Sequence, residues 1–119
     1  MPGILSCLFR KSPADQLHWV EVAELRQRLA GASPPLIIDV RGAQEFDGPL
    51  GHIDGARNIP LPELGARYGE VAATGRPVVC ICLTDKRSAA AAAQLAAAGI
   101  VDVSVLRGGM KAWREAGAP

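Results

Sequence analysis

Two short, unbroken apolar runs constrain the fold of this chain more than any other feature. Leu36-Ile37-Ile38 and Val78-Val79-Cys80-Ile81 lack the polar alternation of a half-exposed strand, so both faces of each strand are expected to be buried. Strands alternate with helical segments, which predicts an α/β protein with a mainly parallel central sheet and helices on both faces. Ligands of such sheets bind beyond the carboxyl ends of the strands. Asp39 and Cys82 lie at the ends of two strands and are expected at one rim.

The remaining elements follow from apolar spacing and from the positions of Gly and Pro. We expect strands at 18–20, 36–40, 77–82 and 101–106, a short segment at 56–59 within a loop, and helices at 22–30, 43–47, 62–73, 88–98 and 109–116. Residues 1–17 are expected to form a poorly ordered N-terminal tail, and residues 18–119 one domain.

Composition excludes several function classes. The net charge of +1 provides no general field that would recruit nucleic acid or an anionic membrane. No apolar run approaches the ~20 residues of a membrane span. Three cysteines, Cys7, Cys80 and Cys82, are too few for a disulfide framework, and free thiols suit a reducing compartment, so we expect a cytoplasmic protein. Cys80 and Cys82 lack the spacing and second ligand pair of a metal site, and no metal or cofactor is predicted.

The segment around Cys82 carries the main chemical signal. Cys82 ends an apolar run and is followed by the mainly polar stretch Leu83-Thr84-Asp85-Lys86-Arg87-Ser88 and then by an alanine-rich helix. In this order, loop N–H groups and the positive end of the helix dipole can both face the sulfur. Both favour the thiolate, which is the nucleophilic form of cysteine. The alternative for Cys82 is an inert, buried strand cysteine, the common fate of a free Cys.

Three blocks of motifs occur in order along the chain. The first block consists of Asp39-Val40-Arg41, Glu45-Phe46, Gly51-His52-Ile53, Gly55-Ala56 and Asn58-Ile59-Pro60. The second block is Cys82, followed after four residues by Arg87-Ser88. The third block is Leu106-Arg107-Gly108-Gly109 with Trp113 and Gly117. Together they resemble the blocks of single-domain rhodaneses, a family of sulfurtransferases, over about residues 19–119.

The resemblance implies a two-step transfer of sulfane sulfur. The Cys82 thiolate would take sulfur from a small donor such as thiosulfate or a persulfide, leaving a Cys82 persulfide. Cyanide, a thiol or a protein thiol would then accept the outer sulfur. A persulfide anion needs converging N–H donors, which the main-chain amides of residues 83–88 can supply. The oligomeric state and the physiological partner are left open.

The side chains near Cys82 are expected to have different roles. Lys86 and Arg87 could attract a dianionic donor, and the motif match favours Arg87. Ser88 could donate to the anion, but capping of the helix is the simpler interpretation. Cys80 is expected to be buried and inert.

Polar residues of the first block are expected to have structural roles, and Asp85 is expected to affect donor binding. Asp39 and Arg41 are expected to brace the rim through hydrogen bonds and an ion pair. His52 is expected to be structural, because a pre-formed thiolate needs no base. Asp85 stands where the family usually has glycine with a positive φ, a conformation that Asp tolerates. Its carboxylate would repel thiosulfate at the mouth of the site.

Two other functions compete with sulfur transfer. Phosphatases and arsenate reductases that resemble rhodanese have five residues between Cys and Arg, because a tetrahedral oxyanion needs a wider cradle. Here there are four, which favours sulfur. Non-catalytic rhodanese-like binding modules typically lose the cysteine, whereas Cys82 is present.

Overall fold

The computed structural model describes residues 17–119, so the predicted N-terminal tail falls, apart from Leu17, outside the described residues. Five strands form one sheet in the order β1-β5-β4-β2-β3, and every pair of neighbours is parallel. The strands are β1 His18–Val20, β2 Leu36–Asp39, β3 Arg57–Asn58, β4 Val78–Ile81 and β5 Val103–Leu106. The predicted α/β class with a parallel sheet is confirmed.

Helices cover both faces of the sheet. They are α1 Val22–Leu29, α2 Ala43–Phe46, α3 Leu64–Ala72, α4 Lys86–Ala97 and α5 Gly109–Glu115, with a 3₁₀ turn at Leu61–Glu63. One core cluster joins the sheet to α3 and α4. A second cluster joins the opposite face to α1 and α5.

The side-chain period of two explains why the central strands are apolar throughout. Ile38 and Cys80 pair in register and belong to the first cluster, whereas Ile37 and Val79 pair in register and belong to the second. In a strand that packs against helices on both faces, every side chain is buried, so apolar residues are favoured at every position. Among residues 17–119, no helix is long and apolar enough to cross a membrane.

Most element boundaries differ from the sequence prediction by one or two residues, and the start of α4 is the difference that bears on the site. Helix α4 begins at Lys86 rather than Ser88, because the Asp85 carbonyl already accepts the Ala89 N–H at 2.9 Å. Lys86 and Arg87 therefore lie in the first helical turn, and the loop after β4 is correspondingly short. Strand β5 begins at Val103 rather than Val101, whose side chain is 96 % exposed.

Candidate active site

The Cys82 sulfur lies at the N-terminal end of α4. The Ser88 backbone N–H donates to Sγ at 3.3 Å, and the Ser88 hydroxyl oxygen lies 3.2 Å from Sγ. Both residues are buried, and Cys82 is 1 % exposed. The sulfur therefore contacts the first turn of a 12-residue helix, whose N-terminus carries a partial positive charge.

Ser88 does not cap the helix, and that interpretation is wrong. It is the third helical residue, and the N-cap position belongs to Asp85, which makes no side-chain capping bond. The hydroxyl contacts the Cys82 sulfur instead. The early start of α4 is the physical reason, because it places Ser88 inside the helix rather than at its boundary.

The loop after β4 is held by the first turn of α5. The Met110 N–H donates to the Cys82 carbonyl at 2.9 Å, and the Lys111 N–H donates to the Leu83 carbonyl at 3.0 Å. No cis peptide occurs within residues 17–119, and the C=O and N–H of a trans peptide point in opposite directions. The N–H groups of Leu83 and Thr84 therefore point away from α5 and are not used by it.

Gly109 allows this close approach. Its φ is +57°, and a Cβ at this position would collide with the carbonyl oxygens of Cys82, Leu83 and Thr84. Glycine is thus required both by the backbone conformation and by the lack of space. The motif match had singled out Gly109, but the sequence alone did not show that it packs against the Cys82 loop.

Asp85 does not adopt the positive φ that the sequence comparison suggested. Its φ is −150°, and within the described part of the chain every residue with a positive φ is a glycine. The carboxylate Oδ2 accepts the Gly108 N–H at 3.3 Å. Asp85 therefore links the end of the Cys82 loop to the turn before α5, and α4 begins immediately after it.

Arg87 forms a bidentate ion pair with Glu45 of α2. Nη1 donates to Oε1 at 2.7 Å and Nη2 donates to Oε2 at 2.9 Å. The hydrogen bond from Arg87 lowers the pKa of Glu45 to about 2, although partial burial opposes this change. The sequence motifs contained Glu45 but did not show this pairing, which joins positions 42 residues apart. The neighbouring residue Lys86 is exposed.

The Asp39–Arg41 pair braces the rim, as predicted. Both residues are 1 % exposed, and Arg41 Nη2 donates to Asp39 Oδ2 at 2.8 Å. The same guanidinium donates to the carbonyls of Glu45 and Gly51, at 3.1 and 2.7 Å. Asn58 donates from Nδ2 to the carbonyls of Asp39 and Arg41. A buried charge pair with this many partners fixes the segment that carries α2.

His52 and Cys80 occupy structural positions. The His52 ring stacks on Phe46 with 3.6 Å between centroids, and its Nδ1 lies 2.9 Å from the Phe46 carbonyl oxygen. Cys80 is fully buried, and burial, together with the neighbouring Cys82, raises the pKa of its thiol to about 12. In residues 17–119, no three His, Cys, Asp or Glu side chains form a group that could hold a metal ion.

Comparison with known proteins places this geometry in a family. Residues 21–116 match the rhodanese-like domain. The chain belongs to the rhodanese-like domain family. This match covers both elements that contact Cys82, namely the first turn of α4 and the start of α5.

Two curated proteins and one solved structure illustrate what this chain is similar to. An uncharacterized protein of Bacillus subtilis is 44 % identical over 84 residues, which cover 71 % of this chain and 64 % of that protein, less than two thirds of its length. The thiosulfate sulfurtransferase GlpE of Shewanella oneidensis is 40 % identical over 82 residues, covering 69 % and 78 % of the two chains. A solved structure from Rhodopseudomonas palustris, described as a protein of unknown function and possible tyrosine phosphatase, is 25 % identical with a TM-score of 0.82, covering 90 % and 86 %.

Proposed function

We propose that this rhodanese-like protein is a sulfurtransferase that carries sulfane sulfur as a Cys82 persulfide. The observation that carries the proposal is the Cys82 sulfur at the N-terminus of α4, within 3.3 Å of the Ser88 N–H. Similarity to a thiosulfate sulfurtransferase supports the same chemistry. A buried sulfur held by an N–H donor is suited to carry negative charge away from bulk water.

The proposed reaction has two balanced steps. The Cys82 thiolate attacks the outer sulfur of thiosulfate, so that an S–S bond forms at Cys82 as the S–S bond of the donor breaks, and sulfite leaves with the electron pair. Cyanide or a thiolate then attacks the outer sulfur of the persulfide, and the Cys82 thiolate leaves. No net oxidation of the protein occurs, and no metal or cofactor is used. The N–H groups of Leu83, Thr84 and Ser88 are the proposed stabilisers of the persulfide anion.

The proposed partners are small. A sulfur donor such as thiosulfate or a persulfide enters the site, and a thiol, a protein thiol or cyanide accepts the sulfur. We propose no nucleic-acid or membrane partner. Cys80 and Cys82 are both free thiols, which supports the reducing cytoplasm as the place of action.

A phosphatase is the second candidate, because a structural relative is described as a possible tyrosine phosphatase. Two features of this chain oppose it. Only four residues separate Cys82 from Arg87, which gives a narrower cradle than a tetrahedral phosphate needs. The Arg87 guanidinium would have to bind the phosphate oxygens, but its Nη1 and Nη2 atoms both donate hydrogen bonds to Glu45.

Intact-mass spectrometry tests the proposal directly. After incubation with thiosulfate, we expect the protein to gain one sulfur atom, mapped to Cys82 by peptide fragmentation and removed by cyanide. We expect no Cys82-dependent hydrolysis of an aryl phosphate. Absence of the sulfur adduct, or rapid phosphate hydrolysis that is lost on changing Cys82, would reject the sulfurtransferase assignment.

Asp85 is expected to disfavour thiosulfate through its charge. Asp85→Asn retains an oxygen that can accept the Gly108 N–H but removes the negative charge. At ~7 Å and an effective dielectric near ~40, one charge pair is worth about 1 kcal/mol, or roughly fivefold in rate constant. We therefore expect kcat/KM for thiosulfate to rise about fivefold at low salt. The control is Asp102→Asn, because Asp102 lies at the amino end of β5, whereas Cys82 follows the carboxyl end of the neighbouring β4. A matching rise in that variant would contradict a local effect.

A further inference from the structure

The Glu45–Arg87 pair connects the rim of the site to the helix that carries Ser88. Its two hydrogen bonds, at 2.7 and 2.9 Å, occupy both carboxylate oxygens of Glu45 and two nitrogens of Arg87. Arg87 immediately precedes Ser88, whose N–H and hydroxyl contact the Cys82 sulfur. The hydrogen bond to Glu45 is the main reason why the pKa of Arg87 is raised. The guanidinium is therefore carried by the residue next to the one that contacts the sulfur.

Glu45 is held in place independently of Arg87. Its Oε1 also accepts the Gly42 N–H at 3.3 Å. Its carbonyl accepts a hydrogen bond from Arg41, which belongs to the buried pair with Asp39. Because both its side chain and its backbone are anchored, Glu45 determines where the Arg87 guanidinium lies. With a pKa near 2, Glu45 stays ionised at any pH used to assay the protein.

The Glu45–Arg87 pair lowers the net positive charge at the mouth of the site, where the sulfur donor would bind. Arg87 is a cation next to the Ser88 donor, but Glu45 cancels its charge. The adjacent positions Asp85 and Lys86 carry one charge of each sign and add no net charge. A donor that carries two negative charges gains less from such a mouth than from one with an unpaired guanidinium.

We propose that Glu45 is a positioning residue that sets donor specificity: by holding and neutralising Arg87, it makes the site favour a singly charged sulfane-sulfur donor over a dianionic one. This inference rests on the proposed sulfur transfer at Cys82. The chemical class of donor is a monoanion of the form R–SO₂–S⁻ or R–S–S⁻, in which an organic group replaces the second charge.

Thiosulfate and methanethiosulfonate are the matched probes for this proposal. They have similar size and shape, but a methyl group in the second replaces one charged oxygen of the first. In both cases the Cys82 thiolate forms an S–S bond to the outer sulfur as the donor S–S bond breaks. The leaving group is sulfite from thiosulfate and methanesulfinate from methanethiosulfonate, and each takes the electron pair of the broken bond. The two reactions therefore differ mainly in donor charge.

The measured quantity is the selectivity, defined as kcat/KM for thiosulfate divided by kcat/KM for methanethiosulfonate. Glu45→Gln leaves Arg87 unneutralised and is expected to raise the selectivity about fivefold at low salt. Arg87→Gln leaves Glu45 unneutralised and is expected to lower it by a similar factor. The double variant is again neutral and should return to the wild-type value. All differences should shrink at high salt, because a half-exposed pair is screened.

Two controls separate charge from structure. Glu70→Gln removes a carboxylate from the bidentate pair with Arg67 on α3, so it repeats the chemical change away from the Cys82 loop. It should leave the selectivity unchanged. Glu45→Asp keeps the negative charge and should remain closer to wild type than Glu45→Gln. Because selectivity is a ratio measured on one preparation, partial loss of folded protein does not alter it.

The outcomes distinguish this inference from the function on which it rests. Opposite shifts in the two single variants, cancelled in the double variant, support the proposal. Equal losses with both donors would show that the pair only stabilises the fold, and would overturn it. If neither donor adds sulfur to Cys82 in the wild-type protein, the sulfurtransferase assignment itself fails and this inference fails with it.

Discussion

Cys82→Ser is expected to abolish sulfur transfer, whereas Cys80→Ser should retain it. A serine hydroxyl at position 82 is neither ionised nor able to form a persulfide, so we expect at least a ~10³-fold loss in kcat, about 4 kcal/mol. The measurement is turnover with thiosulfate and cyanide, together with intact mass after thiosulfate alone. Wild-type turnover by Cys82→Ser would disprove the proposed mechanism.

Cys80→Ser is the matched control for this experiment. Cys80 and Cys82 are two positions apart and belong to the same core cluster, and Cys82 is the one of the two that is hydrogen-bonded to Ser88. A hydroxyl at position 80 would lie in a fully buried apolar site, which costs roughly 1–3 kcal/mol. We expect a lower urea midpoint with kcat close to wild type in the folded protein. A loss of kcat equal to that of Cys82→Ser would implicate both thiols in the chemistry.

The fold could be predicted because its signals are local. The apolar runs at 36–38 and 78–81 indicate burial on both faces, and a parallel sheet covered by helices on both sides provides it. The same reasoning placed Cys82 beyond a strand end, where its sulfur meets the start of α4. Helix boundaries were harder to predict, because the Lys86 start depends on a hydrogen bond from Ala89 to the Asp85 carbonyl.

The details of the site depend on contacts between residues that are far apart in the sequence, which a local sequence pattern cannot predict. Asp85 was expected to replace a left-handed glycine, but its carboxylate reaches Gly108, 23 positions away. Arg87 was expected to face the donor, but Glu45, on another segment, binds its guanidinium. In both cases a nearby polar group from a distant part of the chain outweighed the preference of the residue itself. The sequence identified these side chains as important without showing their partners.

Gly109→Ala is expected to be the most destabilising single-methyl change around the site. The positive φ alone disfavours alanine by roughly 1–2 kcal/mol. The new Cβ would also collide with the carbonyl oxygens of Cys82, Leu83 and Thr84, which are backbone atoms and cannot rotate away. We therefore expect a total loss of more than about 3 kcal/mol in unfolding free energy. This corresponds to a fall in Tm of roughly 10 °C or more for a domain of this size.

The activity of Gly109→Ala should fall more than its stability explains. Relief of the collision requires the Cys82 loop to move away from α5, which breaks the bonds from Met110 and Lys111 and displaces the N–H groups around the sulfur. We expect kcat/KM at 25 °C, measured on folded protein, to drop at least about tenfold. Gly65→Ala is the control, because nothing lies within 4 Å of a Cβ there and α3 should gain up to about 1 kcal/mol. A Gly109→Ala protein with wild-type Tm and activity would show that α5 does not hold the loop.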